Sequence, residues 1–377
     1  GNGSTQNITT VGFQPENLWV RAATPVVAVQ KTDTMAAANS VPFSALAEIS
    51  TAFSGFLSNG FAITNAAETN TLSTNYRYMA WNKSITVAAP TYKFKTGTYV
   101  GNGSSRSITG LGFAPEAVII KATTADGVGA FLKTTGMNSG AVAYLGSATA
   151  NTTYLIDLKT DGFDVTGTNA NTANVVWTWY AFGGSDCTSG GTFCVGSYTG
   201  AGSGTKAIPT GFQPDMVLVK ASTAVTPSWR SSAMPTNYAQ FLTATTQDTA
   251  GAYFTTLDTT GFTVGASNNT AAMHHFIAFK QVTGSIKVGT YTGNGTSQSV
   301  TSMGFMPNLA IVKNANAATP VGAVYNVTQS NGNSSSYFTD TANVVAAVTS
   351  LDADGFSVGS HATANGSTNT IYWAAFG

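Results

Sequence analysis

Short apolar runs alternate with stretches rich in Gly, Asn, Ser and Thr along the whole chain, and they return in a fixed order. A strand-like run such as VGTYT (Val288 to Thr292) leads into a polar turn, GNGTSQS, then a short strand and a GF-x-P phrase. An apolar run follows at once: LWVRA from Leu18, AVIIKA from Ala117, MVLVKA from Met216 and LAIVKN from Leu309. These runs are rich in β-branched residues and too short for helices, which predicts central strands. The proline fixes the chain just before strand entry. A variable middle segment leads to a second turn phrase, SNGFAI at Ser58, TDGFDV at Thr160, TTGFTV at Thr259 and ADGFSV at Ala353. Asn-Gly and Asp-Gly favour the positive φ of tight hairpin turns, and the phenylalanine behind them predicts a core anchor. Each cycle closes with an aromatic strand: YRYMAW (Tyr76 to Trp81), VVWTWYAFG (Val175 to Gly183), HHFIAF (His274 to Phe279) and IYWAAFG (Ile371 to Gly377).

The GF-x-P phrase at Gly12, Gly112, Gly211 and Gly304 sets a period of 100, 99 and 93 residues, so the 377-residue chain divides by its repeat. The units run over 1–83, 94–184, 193–282 and 286–377, each long enough for a modest core. Only FSALAEIS, Phe43 to Ser50, has helical spacing. The fold class that follows is all-β: four tandem antiparallel β-sandwiches of jelly-roll type, strung like beads.

Charged residues make up 8% of the chain and the formal net charge is zero, so no field draws nucleic acid or anionic lipid. No apolar stretch approaches membrane-spanning length, which speaks against membrane insertion. A surface of hydroxyls and amides with few charges suits an extracellular or virion location. Cys187 and Cys194, in CTSGGTFC, are spaced for a local disulfide that implies an oxidising setting, with two reduced thiols as the alternative. A first residue of Gly reads as a processed or trimmed start.

Candidate chemistry is sparse. GAGSGTK (Gly200 to Lys206) resembles a phosphate loop, but Pro209 and Pro214 preclude the helix that such a loop opens. His274 and His275 are neighbours on a strand and point to opposite faces, and His361 is remote in sequence. Asp352 with Asp354, and Asp157, Asp161 and Asp164, fit either turn formation or a calcium ion, the one cofactor the sequence leaves open. No Ser-His-Asp or Cys-His arrangement and no repeated carboxylate pair suggests catalysis. In VVWTWYAFG the alternation sets Trp177 and Trp179 on one face, a candidate sugar-stacking pair, and Tyr180 and Phe182 on the other. Asn7, Asn102, Asn294 and Asn326 begin N-x-S/T triplets, which such a composition produces by chance.

The ordered phrases GNGSTQ-x-I, GF-x-P, an apolar run ending in Lys or Arg, DGF, and Y-x-AW or AFG resemble a repeat domain of bacteriophage tail-fibre and other virion-associated proteins. The first unit is similar at Gly1 to Gln6, Gly12 to Pro15, Asn59 to Phe61 and Tyr78 to Trp81; the third departs most, with Ala201 for Asn and Thr260 for Asp. The resemblance implies a non-enzymatic β-sandwich of surface structure or attachment, with other copies of the chain, virion structural proteins or surface glycans as partners. KTGTYV, CVGSYT and KVGTYT precede the polar turn in units two to four, whereas Gly1 has no such run before it. An unpaired assembly edge at Gly1, Asn2, Gly3 and Ser4 is therefore expected, filled by the linker 84–95, by a neighbouring subunit's strand or by residues outside the given sequence. Two functions of different class follow: a structural subunit of a fibre or virion surface, or an adhesin module that binds a host glycan.

Overall fold

The computed structural model describes residues 1–82, 92–123, 129–147, 152–153, 156–167, 169–316, 322–328 and 333–377. The protein is all-β, 46% strand and 2% helix, with eight antiparallel sheets that pair into four β-sandwiches along the chain. Each sandwich sets a three-stranded sheet against a larger one. In the second repeat the small sheet has the spatial order Ile156–Lys159, Gly162–Val165, Arg106–Thr109. The large sheet runs Thr152–Thr153, Ala141–Tyr144, Phe131–Thr134, Ala117–Ala122, Val176–Gly183, Lys93–Val100. The GF-x-P run is thus central and the aromatic closing strand lies beside it. The strand that precedes the polar turn (Lys93–Val100, Phe193–Thr199 or Ile286–Thr292) pairs with the far side of that closing strand.

Two glycine patterns follow from this packing. Gly97, Gly196 and Gly289 lie in those preceding strands beneath the rings of Trp179, Phe276 and Trp373; a Cβ there would sit 2.4–2.5 Å from a ring atom. In the second turn phrase, Gly60, Gly162, Gly261 and Gly355 each open a strand. A Cβ at these four would come within 1.8–2.1 Å of the carbonyl oxygen of Ile8, Ile108, Ile208 or Val300. The close approach of the neighbouring strand requires glycine at all four, and at Gly162 and Gly355 a positive φ of 157° and 150° adds to it.

Period-two alternation sends half of each central strand inward, onto the small sheet, and half outward. Inward residues make one core per sandwich, such as Val118, Ile120, Phe163 and Val165 in the second repeat and Leu18, Val20, Phe53 and Phe61 in the first. In the second, third and fourth repeats the outward residues are buried too. Ala117–Ala122, Met216–Ala221 and Leu309–Asn314 are buried at every position. Their outer faces converge on one further core that includes Ile119, Leu218 and Ile311. At its centre the equivalent rings of Phe182, Phe279 and Phe376 touch pairwise, with centroids 5.1–5.5 Å apart. Three equivalent positions in mutual contact define a pseudo-threefold axis.

The axis organises backbone contacts between repeats as well. Ala130 N–H donates to the Phe338 carbonyl at 2.8 Å, linking the second repeat to the fourth, and Ala323 N–H donates to the Leu242 carbonyl at 3.1 Å, linking the fourth to the third. Pro227 holds the equivalent position in the third repeat and has no N–H, so this ring of bonds is open at one place. The expectation of beads is therefore corrected for these three repeats: residues Ala88–Gly377 form one compact unit, because apolar outer faces close on one another. Gly1–Val87, holding the first repeat, is a second compact unit. The helix expected at Phe43 to Ser50 does not form; the segment ends in a bridge between Ser40 and Ile49.

Candidate functional site: the outer face of the first repeat

Strand register gives an unambiguous equivalence between the four large sheets. Trp19 lies opposite Met79 as Ile119 lies opposite Tyr180, Leu218 opposite Ile277 and Ile311 opposite Ala374. One step along, Asn17 lies opposite Trp81 where Ala117, Met216 and Leu309 face Phe182, Phe279 and Phe376. Phe43 corresponds to Leu145, Leu242 and Phe338, each donating its N–H to the residue at the position of Ala28 (Ala28, Ala130, Pro227 and Ala323). Trp19, Phe43, Met79 and Trp81 are 37–53% exposed, whereas every equivalent in the other repeats is at most 6% exposed. The same face of the same sheet is open in one repeat and shared in three.

The open face has its own packing. Trp19 makes edge contacts with Phe43 at 5.0 Å and with Trp81 at 5.1 Å, and Trp19 and Phe43 border an open cleft of about 820 Å³ that Tyr76, Tyr78 and Met79 also line. Polar groups replace apolar ones at two positions. Asn17 and Gln30, bonded to each other at 3.3 Å, stand where Ala117 and Leu132 stand in the second repeat. Arg21 and Arg77 pair across the strands where the other repeats have Lys121 with Thr178, Lys220 with His275 and Lys313 with Tyr372. Those three lysines are at most 1% exposed. Lys313 Nζ donates to the Thr243 carbonyl of the third repeat at 2.8 Å, so a basic side chain at this position can reach across a closed face as a hydrogen-bond donor. Burial pushes Lys313 down to about 7 and Lys220 down to about 8.

Among the described residues, no strand pairs with the outer edge of Tyr76–Trp81, where the other repeats carry their first strand. The linker residues 84–91 lie outside the described residues, and Lys93 to Lys95 belong to the second repeat. The expected location of the open edge at Gly1, Asn2, Gly3 and Ser4 is corrected. Asn2 N–H donates to Asn70 Oδ1 at 2.8 Å, Gly3 N–H to the Asn70 carbonyl at 3.1 Å, and Asn70 Nδ2 to the Ser4 carbonyl. The polar turn is folded onto its own sandwich, and among the described residues the strand left with an unpaired edge is the closing strand, Tyr76–Trp81.

That clamp is a residue the sequence reading missed. Asn171, Asn269 and Asn365 hold the other three polar turns in the same way, and all four asparagines are fully buried. The signal was an Asn some 70 residues after each turn phrase.

The remaining candidates do not gather. Trp177 and Trp179 share a face as the alternation predicted, but it is the inner one: both are buried, Trp177 stacked on Tyr99 and Trp179 edge-on to Phe163 at 5.7 Å. A sugar cannot reach them, which removes them as a stacking pair. The carboxylates read as calcium candidates engage separate partners. Asp161 accepts from Gly110 and Gly112 N–H at 3.0 and 2.6 Å, and Asp354 from Ser302 and Gly304 at 3.0 and 2.6 Å, bracing the GF-x-P turns. Asp157 accepts from Gly140 N–H, Asp164 pairs with Lys159 at 3.0 Å, and Asp352 accepts from Ser350 and Ser357. Backbone N–H donors hold the Asp354 carboxyl below its usual range. Among the described residues no three His, Cys, Asp or Glu side chains gather as metal ligands would. His274 stacks on Tyr198, His275 faces the shared core side, and His361 accepts from Thr363 N–H at the start of the short helix Ala362–Asn365. Asn326 is buried and donates to the Val348 carbonyl, and Asn102 and Asn294 belong to the clamps. Cys187 and Cys194 are joined by a disulfide, with Cα atoms 4.9 Å apart. No helix among the described residues is long and apolar enough to cross a membrane.

Fold and face together define a tandem-repeat β-sandwich protein with one sandwich whose outer face is unclosed. The chain belongs to the family described as a domain of unknown function (DUF7483), whose model matches residues 89–336 and 281–375. No curated protein matches the chain.

Proposed function

We propose that the chain is a non-enzymatic structural subunit of a virion surface or extracellular fibre, joined to its neighbours through strand contacts of its first repeat. The observation that carries this reading is the Tyr76–Trp81 edge, which lacks among the described residues the strand its three counterparts have. An open edge beside exposed aromatic rings is a template for strand addition from another chain. Low charge, a hydroxyl-rich composition, a disulfide and the resemblance to tail-fibre repeats support a location outside cells. Negative-stain electron microscopy across a concentration series tests it: fibres or regular oligomers are expected, and single particles at every concentration would contradict it.

The exposure of Trp19 and Trp81 beside Asn17 and Gln30 favours the adhesin as a second reading, with sugar stacking moved from Trp177 and Trp179 to this face. Glycan-array binding that disappears in Trp19→Ala would select it.

A further inference from the structure

We propose that the first repeats of three chains close their outer faces on one another around a true threefold axis, reproducing between chains the arrangement that the other three repeats form within one chain. The proposal goes beyond strand addition, because it uses the face of the sheet and leaves its edge alone. What says what covers this face is its own equivalent: in all three other copies, the partner of this face is the same face. Closed rotational symmetry is the general way in which one patch satisfies itself.

The residues meet the geometry position by position. Trp81 takes the place of Phe182, Phe279 and Phe376, whose rings pack at 5.1–5.5 Å about the pseudo-threefold axis. Phe43 takes the place of Leu145, Leu242 and Phe338, all within the shared core. Two polar contacts then follow, both running the same way round the axis. Ala130 and Ala323 donate to the carbonyls of Phe338 and Leu242, so Ala28 N–H of one chain meets the Phe43 carbonyl of the next. Lys313 donates to the Thr243 carbonyl, so Arg21 meets the carbonyl of Ser44, the residue after Phe43. Ala28 has the N–H that Pro227 lacks, so a trimer of first repeats completes the ring that is open within the chain. With Asn17 and Gln30 in place of apolar residues, the face is wetter than the intramolecular one, as suits a subunit that is stable before it assembles.

The test is the mass of the full chain by light scattering over a concentration series, combined with two cysteine variants. Cys187 and Cys194 are paired and no cysteine is free, so each introduced thiol is unique. The chain is expected to reach three times its own mass. Trp81→Glu is expected to return it to one chain with an unchanged circular dichroism spectrum, because Trp81 is 43% exposed in the sandwich itself. Under mild oxidation Trp81→Cys should yield disulfide-linked pairs more than tenfold faster than Leu72→Cys, an exposed position remote from the face. A single-chain mass up to about 100 µM, a dimer, a trimer that survives Trp81→Glu, or equal cross-linking of the two thiols would each overturn the proposal. Fibres from a chain that never forms a threefold contact would leave strand addition standing while the trimer falls; trimers without fibres would do the reverse.

Discussion

Among the described residues the first and second repeats hold the same strands in the same order, the second adding Lys93–Val100 at one edge and Thr152–Thr153 at the other; they clamp their polar turns with an equivalent asparagine and fill the inner core alike. They part on the outer face of one sheet. AVIIKA is apolar at almost every position and is buried on both faces; NLWVRA alternates, and its outward half is exposed. A strand covered on both sides needs a nearly continuous apolar run, while one covered on a single side needs only every second residue. Within one family of repeats, therefore, the outward positions alone decide whether a sandwich joins a shared core. That difference can be broken or sharpened by substitution.

The largest effect is expected at the pseudo-threefold axis. Phe279→Ala removes a ring that touches Phe182, Phe193 and Phe376 and should cost about 4 kcal/mol in urea unfolding of the Ala88–Gly377 unit. Trp81→Ala at the equivalent position should cost the folded first repeat below about 1 kcal/mol, because its ring is already half in water. Similar losses at both positions would refute the distinction between the faces.

Acid should come next, and again on one side only. Burial, then the nearby charges of His274, Lys133 and Lys220, push His275 down to about 4 from its ordinary 6.5. The native state prefers the neutral ring, so this stabilisation is full above pH 6.5 and disappears as the pH falls towards 4, a loss of about 3 kcal/mol. All three histidines lie in the third and fourth repeats, so the melting transition of Ala88–Gly377 should fall with pH in that window, and His275→Gln should flatten the profile. The first repeat has no histidine to contribute. Reduction of Cys187–Cys194, which closes a short loop, should cost the same unit about 2 kcal/mol, seen as a lower melting temperature in reductant.

The smallest effects should be equal on the two sides. Asn70→Ala and Asn365→Ala each remove a buried side chain that accepts a turn N–H and donates to a turn carbonyl. Each should cost about 1–2 kcal/mol by denaturant titration of its own unit. Unequal costs would mean that the repeats differ in more than the outer face.

The all-β sandwich was legible because apolar runs, turn phrases and closing strands return in register, and period fixes topology more firmly than any single motif. The shared core was not, although its signature was present: the six-residue apolar runs of the last three repeats fit burial on two faces, and only the first alternates. Trp177 and Trp179 misled because alternation shows which residues share a face but not which face is covered. The sequence points to an edge at the polar turn, whereas among the described residues the unpaired edge belongs to the closing strand Tyr76–Trp81, because the turn is clamped onto its own sandwich by Asn70. The clamp asparagines were hidden in an Asn-rich sequence, where nothing local distinguishes a buried amide from a surface one.

Hydrogen–deuterium exchange of the full chain at two concentrations tests most directly the claim that one face is open in the first repeat and closed in the others. At low concentration, peptides covering Asn17–Ala22 and Tyr76–Trp81 should exchange well before those covering Ala117–Ala122, Met216–Ala221 and Leu309–Asn314, and at high concentration they should slow towards them. Equal protection of all four central strands at both concentrations would contradict the account.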